Sequence, residues 1–394
     1  MIHDVAVIGG GIHGAGVAQA AAAAGHTVLV LEAGQWAGGT SGASSKLIHG
    51  GLRYLESGNL ALVRESLGER RLLHRLAPEL VHYQRFYIPL YADSQRRPWQ
   101  LQLGLGLYAL LAGPGQHARF HRLPPAADAW PGLRHQGLRA VFQYWDAQTD
   151  DRAMTLAVLA SARRLGARLL AETPVEAIQR REDLWQLHTP AGRFQARAVV
   201  NAAGPWVNRV SALAGDRVPR RASSHVQGSH LILAEPLPLP GAWYLEAADR
   251  RAVFALPWQN GTLLGTTEVD VDEPRFGVHP EVTAAEETYL LATLARYWPA
   301  LQPRVAGRFA GIRVLPASDD SPFRRSRDVA LVADHPQRPA WISIYGGKLT
   351  TWRLTAGQVM ERLVPRLGPR PPRADTARLM LPPATEEEQA RLSG

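Results

Sequence analysis

The 394-residue chain contains no cysteine. This excludes disulfides, iron–sulfur clusters, thiolate zinc sites and a cysteine nucleophile, and it leads us to expect a cytosolic or cytosol-facing protein. Lysine is nearly missing too. Lys46 and Lys348 are the only two, so arginine carries almost all of the positive charge behind a formal net charge of +9. No apolar run approaches the ~20 residues of a membrane-spanning helix, and the longest, Leu101 to Gly113, is interrupted by Gln102. The opening Met1-Ile-His-Asp lacks the positive lead of a secretory signal, and the apolar stretch behind it runs into glycines rather than a cleavage site. The 14 histidines form no His-Glu-x-x-His or comparable ligand spacing, so no metal site is expected. No Gly-x-Ser-x-Gly elbow joins a strand to a helix, and no nucleic-acid recognition motif accompanies the basic charge.

What is present reads as globular. Hydrophobic residues make up 46% and charged residues 20%, enough for a sizeable core in two or three domain-sized units. Val5 to Ile8 form a short apolar run of the kind buried in a parallel strand. Gly9, Gly11 and Gly14 follow in the spacing Gly-x-Gly-x-x-Gly, then a helix dense in alanine from Ala15 to Ala24, then a second strand from Thr27 to Leu31 closed by Glu32. Such glycines let the backbone approach a pyrophosphate, whose charge meets the helix N-terminus, while a carboxylate about 20 residues on accepts from ribose hydroxyls. Dinucleotide binding is expected. The motif alone does not choose between NAD and FAD.

Two further segments carry chemistry. Ser41, Ser44 and Ser45 offer hydroxyls to a pyrophosphate or ribitol, and Gly50 and Gly51 allow close approach to a flat ring. Near the other end, Trp341 to Ile344 reads as a strand, Gly346-Gly347 as a turn and Leu349 to Leu363 as a helix. Its positive end would face something anionic.

Thr40-Ser-Gly-Ala-Ser-Ser-Lys-Leu-Ile-His-Gly-Gly-Leu-Arg-Tyr-Leu-Glu56 closely resembles the stretch after the second strand in the FAD-dependent glycerol-3-phosphate dehydrogenases of the D-amino-acid-oxidase-like FAD oxidoreductase superfamily, and it is the most specific segment. Asp150-Asp-Arg152, Val199-Val-Asn-Ala-Ala-Gly-Pro-Trp206, Gly228-Ser-His230, Gly265-Thr-Thr267, Gly311-Ile-Arg313, Ser326-Arg-Asp328 and Gly346-Gly-Lys-Leu-Thr-Thr351 follow in the family's order, over roughly residues 3 to 383.

The resemblance implies FAD and the oxidation of sn-glycerol 3-phosphate to dihydroxyacetone phosphate by hydride transfer to flavin N5, with electrons passed to quinone or another acceptor. It nominates Gly9, Gly11, Gly14, Glu32, Thr40, Ser41, Ser44, Ser45, Lys46, His49, Gly50, Gly204, Gly347, Leu349 and Thr350 for the cofactor. Arg53, Tyr54 and Arg327 are nominated for the substrate phosphate, because arginine's planar fork suits that group. His230, Arg313 and Lys348 are nominated for the reacting centre, where a neutral His230 would accept the hydroxyl proton. Which group is the base stays open, as do two rival readings: another 2-hydroxy or amino acid as substrate, and a non-catalytic flavin-binding module.

The expected architecture is α/β. A discontinuous Rossmann-type FAD-binding unit takes residues 1–80, 148–215 and 306–364, an antiparallel-sheet substrate unit takes 81–147 and 216–305, and a loose tail covers 365–394. The resemblance leads to the expectation of a member without the helical C-terminal domain that bacterial relatives usually carry. Gln227 stands where the family commonly has a basic residue, and Glu268 where it usually has Asp. Arg96-Arg97-Pro-Trp99 and the leucines after it suit contact with an anionic membrane surface, although the leucine spacing fits a strand as well as a helix. A peripheral position on the cytoplasmic face of the inner membrane is expected on that reading.

Overall fold

The computed structural model describes residues 1–55, 58–317 and 329–393, with the backbone alone at positions 53, 316 and 393. Two sheets organise it. The first is built on β1 (Ile2–Ile8), whose buried Val5, Ala6 and Val7 are flanked by two parallel neighbours: β2 (Val28–Leu31) and the strand Gly192–Asn201. Register sets Val7 opposite Val30 on one side and Val200 on the other. The strands Trp341–Tyr345 and Arg168–Leu170 extend the parallel set outward, and Ala330–Ala333 closes one edge antiparallel.

The helix α1 (Ile12–Ala23) crosses from β1 to β2 and packs between the helices Asp151–Arg164 and Trp352–Leu367. Small residues make this possible: a Cβ at Gly16 would come within 2.6 Å of the Trp352 ring. Alanine therefore serves close packing here, on a helix buried on nearly every side.

The second sheet is mostly antiparallel. Its order runs from Val269–Val271 through Ser223–Leu233, Gly261–Gly265, Ala252–Trp258, Ala242–Glu246 and Val81–Tyr91 to Leu138–Thr149 and Leu47–Ile48. Two features differ from the sequence reading, and the leucine-rich segment resolves an alternative that it left open. The strand Val305–Pro316, assigned to the nucleotide unit, pairs along its length with Ser223–Leu233 in this second sheet. The leucine-rich segment is a helix, Pro98–Ala112, started by Pro98 at its first turn and ended by Gly113 at φ +77°.

The second difference is the tail, which is packed rather than loose. The N–H of Leu381 donates to Leu76 O at 2.7 Å, the Arg373 N–H donates to Ala23 O at 2.7 Å, and Trp36 Nε1 donates to the carbonyl of Leu392. Leu381 and Leu392 are buried among the helices around α1. Among the described residues no helix is long and apolar enough to cross a membrane.

Candidate active site

At the end of β1 the chain turns through Gly9 at φ +110°, a conformation that L side chains rarely adopt. A Cβ at Gly9 would lie 2.5 Å from Ala202 O, and one at Gly14 would lie 1.9 Å from Gly9 O. Both glycines are thus dictated by backbone-on-backbone contact. Gly11 caps α1, and the first helical N–H, on Ile12, donates to Ser41 Oγ at 2.9 Å. Glu32 accepts from the N–H groups of Gly10 at 2.6 Å and Gly34 at 2.8 Å, and burial raises its pKa above the usual carboxylate value.

A cavity of about 610 Å³ starts at this turn. Gly9, Gly11, Glu32, Thr40, Ser41, Ser44 and Gly204 line it, as do Gly347, Lys348 and Leu349, which follow the first-sheet strand Trp341–Tyr345; Arg313 lines it from the second sheet. The chain's own groups fit an FAD here. α1 presents its positive end to the cavity, and His13 Nδ1, buried in the lining, has no hydrogen-bond partner among the described residues. Burial keeps His13 neutral, with its pKa lowered to about 4. Thr40 Oγ1 donates to Ile312 O at 2.5 Å, tying the nucleotide loop to the strand that carries Arg313.

Arg313 is fixed on several sides. Its Nη1 donates to Glu268 Oε1 at 3.1 Å and its Nη2 to Thr266 Oγ1 at 3.1 Å, while Gly228 lies so close that a Cβ there would be 2.6 Å from Nη2. Two residues along from Gly228, His230 is 1% exposed and stacks on Phe309, its cross-strand partner, with ring centroids 4.8 Å apart. Gly265 leaves room for the ring: a Cβ there would be 2.2 Å from His230 Cδ2. Ser45 Oγ sits 3.0 Å from His230 Nε2. Burial, then the charges of Arg313 and Lys46, lower the His230 pKa to about 3, so the imidazole is neutral at pH 7.

Several nominated residues do something other than line the cavity. Ser45 faces His230 rather than a cofactor oxygen. Lys46 is buried with its Nζ 2.5 Å from Asp151 Oδ1 and 4.7 Å from the Trp258 ring centroid, so its ammonium serves an internal ion pair. The Gly50 N–H is accepted by Tyr108 Oη at 2.9 Å and Asp146 Oδ1 at 3.2 Å, in a buried network completed by Arg70. The His49 N–H donates to Thr350 Oγ1 at 3.1 Å, and Lys348 Nζ lies 3.8 Å from the centroid of the Tyr54 ring. The side chain of Arg53 and the whole of Arg327 lie outside the described residues.

Sequence reading missed His13, Trp206, Arg209 and Phe276 in the lining. For His13 a signal existed, an ionisable residue inside Gly11-x-x-Gly14. For Trp206 and Phe276, which meet edge to face at 5.7 Å, there was none, because 70 residues of chain separate them.

A glycine turn at the end of a parallel sheet, opening on a cavity that an antiparallel sheet lines with a guanidinium, is the arrangement of a flavin-dependent oxidoreductase of the two-domain kind; the nominated His230 is buried behind that lining, between Phe309 and Ser45. The sequence matches the FAD-dependent oxidoreductase family over residues 4–353. It is 36% identical to a glycerol-3-phosphate dehydrogenase of Pseudomonas aeruginosa, the alignment covering 97% of this chain and 75% of that one. It is 34% identical to a D-erythritol 1-phosphate dehydrogenase of Brucella abortus over 91% of this chain and 73% of that one. The crystal structure of a glycerol-3-phosphate dehydrogenase from Bacillus halodurans in complex with FAD superposes with a TM-score of 0.73 at 26% identity, over 96% of this chain and 68% of that one. The protein belongs to the FAD-dependent oxidoreductase family, and FAD is its cofactor.

Proposed function

We propose that the protein oxidises sn-glycerol 3-phosphate to dihydroxyacetone phosphate. The observation that supports this reading is that Arg313 and Lys348 line the same cavity as the glycine turn, so that two cationic side chains face the space a small anionic alcohol would take beside a flavin. FAD, held by the turn Gly9 to Gly14 and the N-terminus of α1, would supply the hydride acceptor for the carbon that bears the hydroxyl. The remaining tasks fall to the chain. Arg313 orients the C2 oxygen, held by Glu268, Thr266 and Gly228 against rotation. Neutral His230, carried on the neighbouring strand, takes the hydroxyl proton. Lys348 stands over Tyr54 and adds positive charge beside the ring site. Arg53 and Arg327 complete the phosphate grip on this reading, which for them rests on the resemblance alone.

Anaerobic addition of glycerol 3-phosphate to the holoprotein is expected to bleach the flavin absorbance band. Bleaching by a small 2-hydroxy or amino acid instead would overturn the substrate. D-Erythritol 1-phosphate belongs in the same titration, since one relative carries that substrate's name.

The reading includes electron exit to quinone or another acceptor at an anionic membrane surface on the cytoplasmic side. The helix Pro98–Ala112 exposes Trp99, Leu103 and Leu110, at 57%, 66% and 75% of their surface, behind Arg96 and Arg97. Anionic liposomes are expected to co-sediment the protein at low salt and release it as salt is raised; indifference to lipid charge removes the contact.

A further inference from the structure

The most informative pair beyond the cradle is Glu268 with Arg313. Glu268 follows Gly265-Thr-Thr267, and its carboxylate lies 3.1 Å from Arg313 Nη1 with its side chain 6% exposed. It is not a loose counter-ion. Its backbone carbonyl accepts from Arg251 Nη1 at 2.6 Å, and Arg251 is itself clamped by Asp249, with Nε 2.6 Å from Oδ2. Thr266 holds the other arm of the same guanidinium, and Gly228 presses on it from the neighbouring strand. The cavity therefore meets its ligand with an arginine already paired to a fixed carboxylate.

We infer that Glu268 is a specificity determinant: it disfavours substrates bearing a carboxylate on the reacting carbon and admits those with a neutral hydroxymethyl group there. The inference rests on the proposed placement of that carbon beside Arg313. A ligand carboxylate at this point competes with Glu268 for one guanidinium and brings two like charges together around it. A hydroxyl does neither. On the proposed reading the phosphate at the far end of the substrate does not meet Glu268. Repulsion of this kind separates close analogues that an attractive contact would accept alike.

The probe is racemic 3-phosphoglycerate, which differs from glycerol 3-phosphate only by a carboxylate in place of the hydroxymethyl. Dihydroxyacetone phosphate serves as the neutral-ended control, and neither compound needs to be turned over. Binding to oxidised holoprotein is read from the perturbation of the flavin spectrum. In the wild-type protein 3-phosphoglycerate is expected to bind roughly tenfold or more weaker than dihydroxyacetone phosphate. Glu268→Gln and Glu268→Ala are expected to raise the affinity for 3-phosphoglycerate relative to that for dihydroxyacetone phosphate by about tenfold.

Equal affinity of the two ligands for the wild-type protein overturns the inference without any variant. So does a parallel change in both ligands in variants that retain FAD, which is what a merely structural Glu268 would give. Failure of glycerol 3-phosphate to bleach the wild-type flavin would sink the substrate reading by itself and leave this binding comparison standing on its own result.

Discussion

Gly11→Val is expected to give a folded, colourless protein. Gly11 has φ −77°, an ordinary value for any residue, and a Cβ built on it meets only Ser41, with Oγ at 3.0 Å. The fold can absorb that contact through a side chain, but the added methyls stand in the cavity where a pyrophosphate would approach the helix N-terminus. Losing two charge-assisted hydrogen bonds of about 1.5–3 kcal/mol each predicts a fall in FAD affinity of at least about a hundredfold. The ratio of flavin to protein absorbance after purification measures the loss, and the thermal transition of the apoprotein measures folding. Gly14→Ala is the contrast. Its Cβ would lie 1.9 Å from a backbone oxygen, so it should lose the fold together with the cofactor. A yellow Gly11→Val protein with unchanged FAD affinity would remove α1 from the binding site.

The same glycines show what a single sequence makes visible. β1, the turn, α1 and β2 form one local unit, and each requirement on it is written in consecutive residues. The long glycine- and serine-rich segment from Thr40 was equally legible as a loop with a job. Its individual side chains were not, because their partners come from distant strands. Lys46 finds Asp151 and Ser45 finds His230, pairs separated by 105 and 185 residues. A rare lysine amid serines reads as a ligand until the carboxylate beside it is known.

The same reason hid the packing of the tail. From Gly368 the chain is rich in Pro and Arg and then acidic, which reads as a loose end, yet Leu381, Leu392 and a few backbone donors seat it on a prebuilt helical surface. The strand Val305–Pro316 shows a subtler limit. It leads from one sheet to the other, and only pairing decides which sheet holds it.

Arg313→Ala is expected to slow flavin reduction by glycerol 3-phosphate by about a hundred- to a thousandfold, the usual cost of removing one donor aimed at a reacting oxygen. FAD content should be nearly unchanged on the proposed reading, in which the glycine turn and α1 hold the nucleotide. Arg313→Lys should recover only part of the rate, because an ammonium keeps the charge but cannot bridge Glu268 and Thr266 with one planar group.

The pH profile gives a second readout that a general loss of structure would not imitate. Burial is the main cause of the depressed His230 pKa, and Arg313 is the next. With that charge gone the pKa rises from about 3 toward the ordinary histidine value of 6.5, so the base becomes protonated at higher pH than before. Only the neutral ring accepts a proton, and the acid limb of the reduction rate should therefore move upward in pH in Arg313→Ala. Stopped-flow reduction across the acid range measures it. An acid limb that stays in place would separate His230 from Arg313 electrostatically, and an unaltered rate at neutral pH would remove Arg313 from the reacting centre.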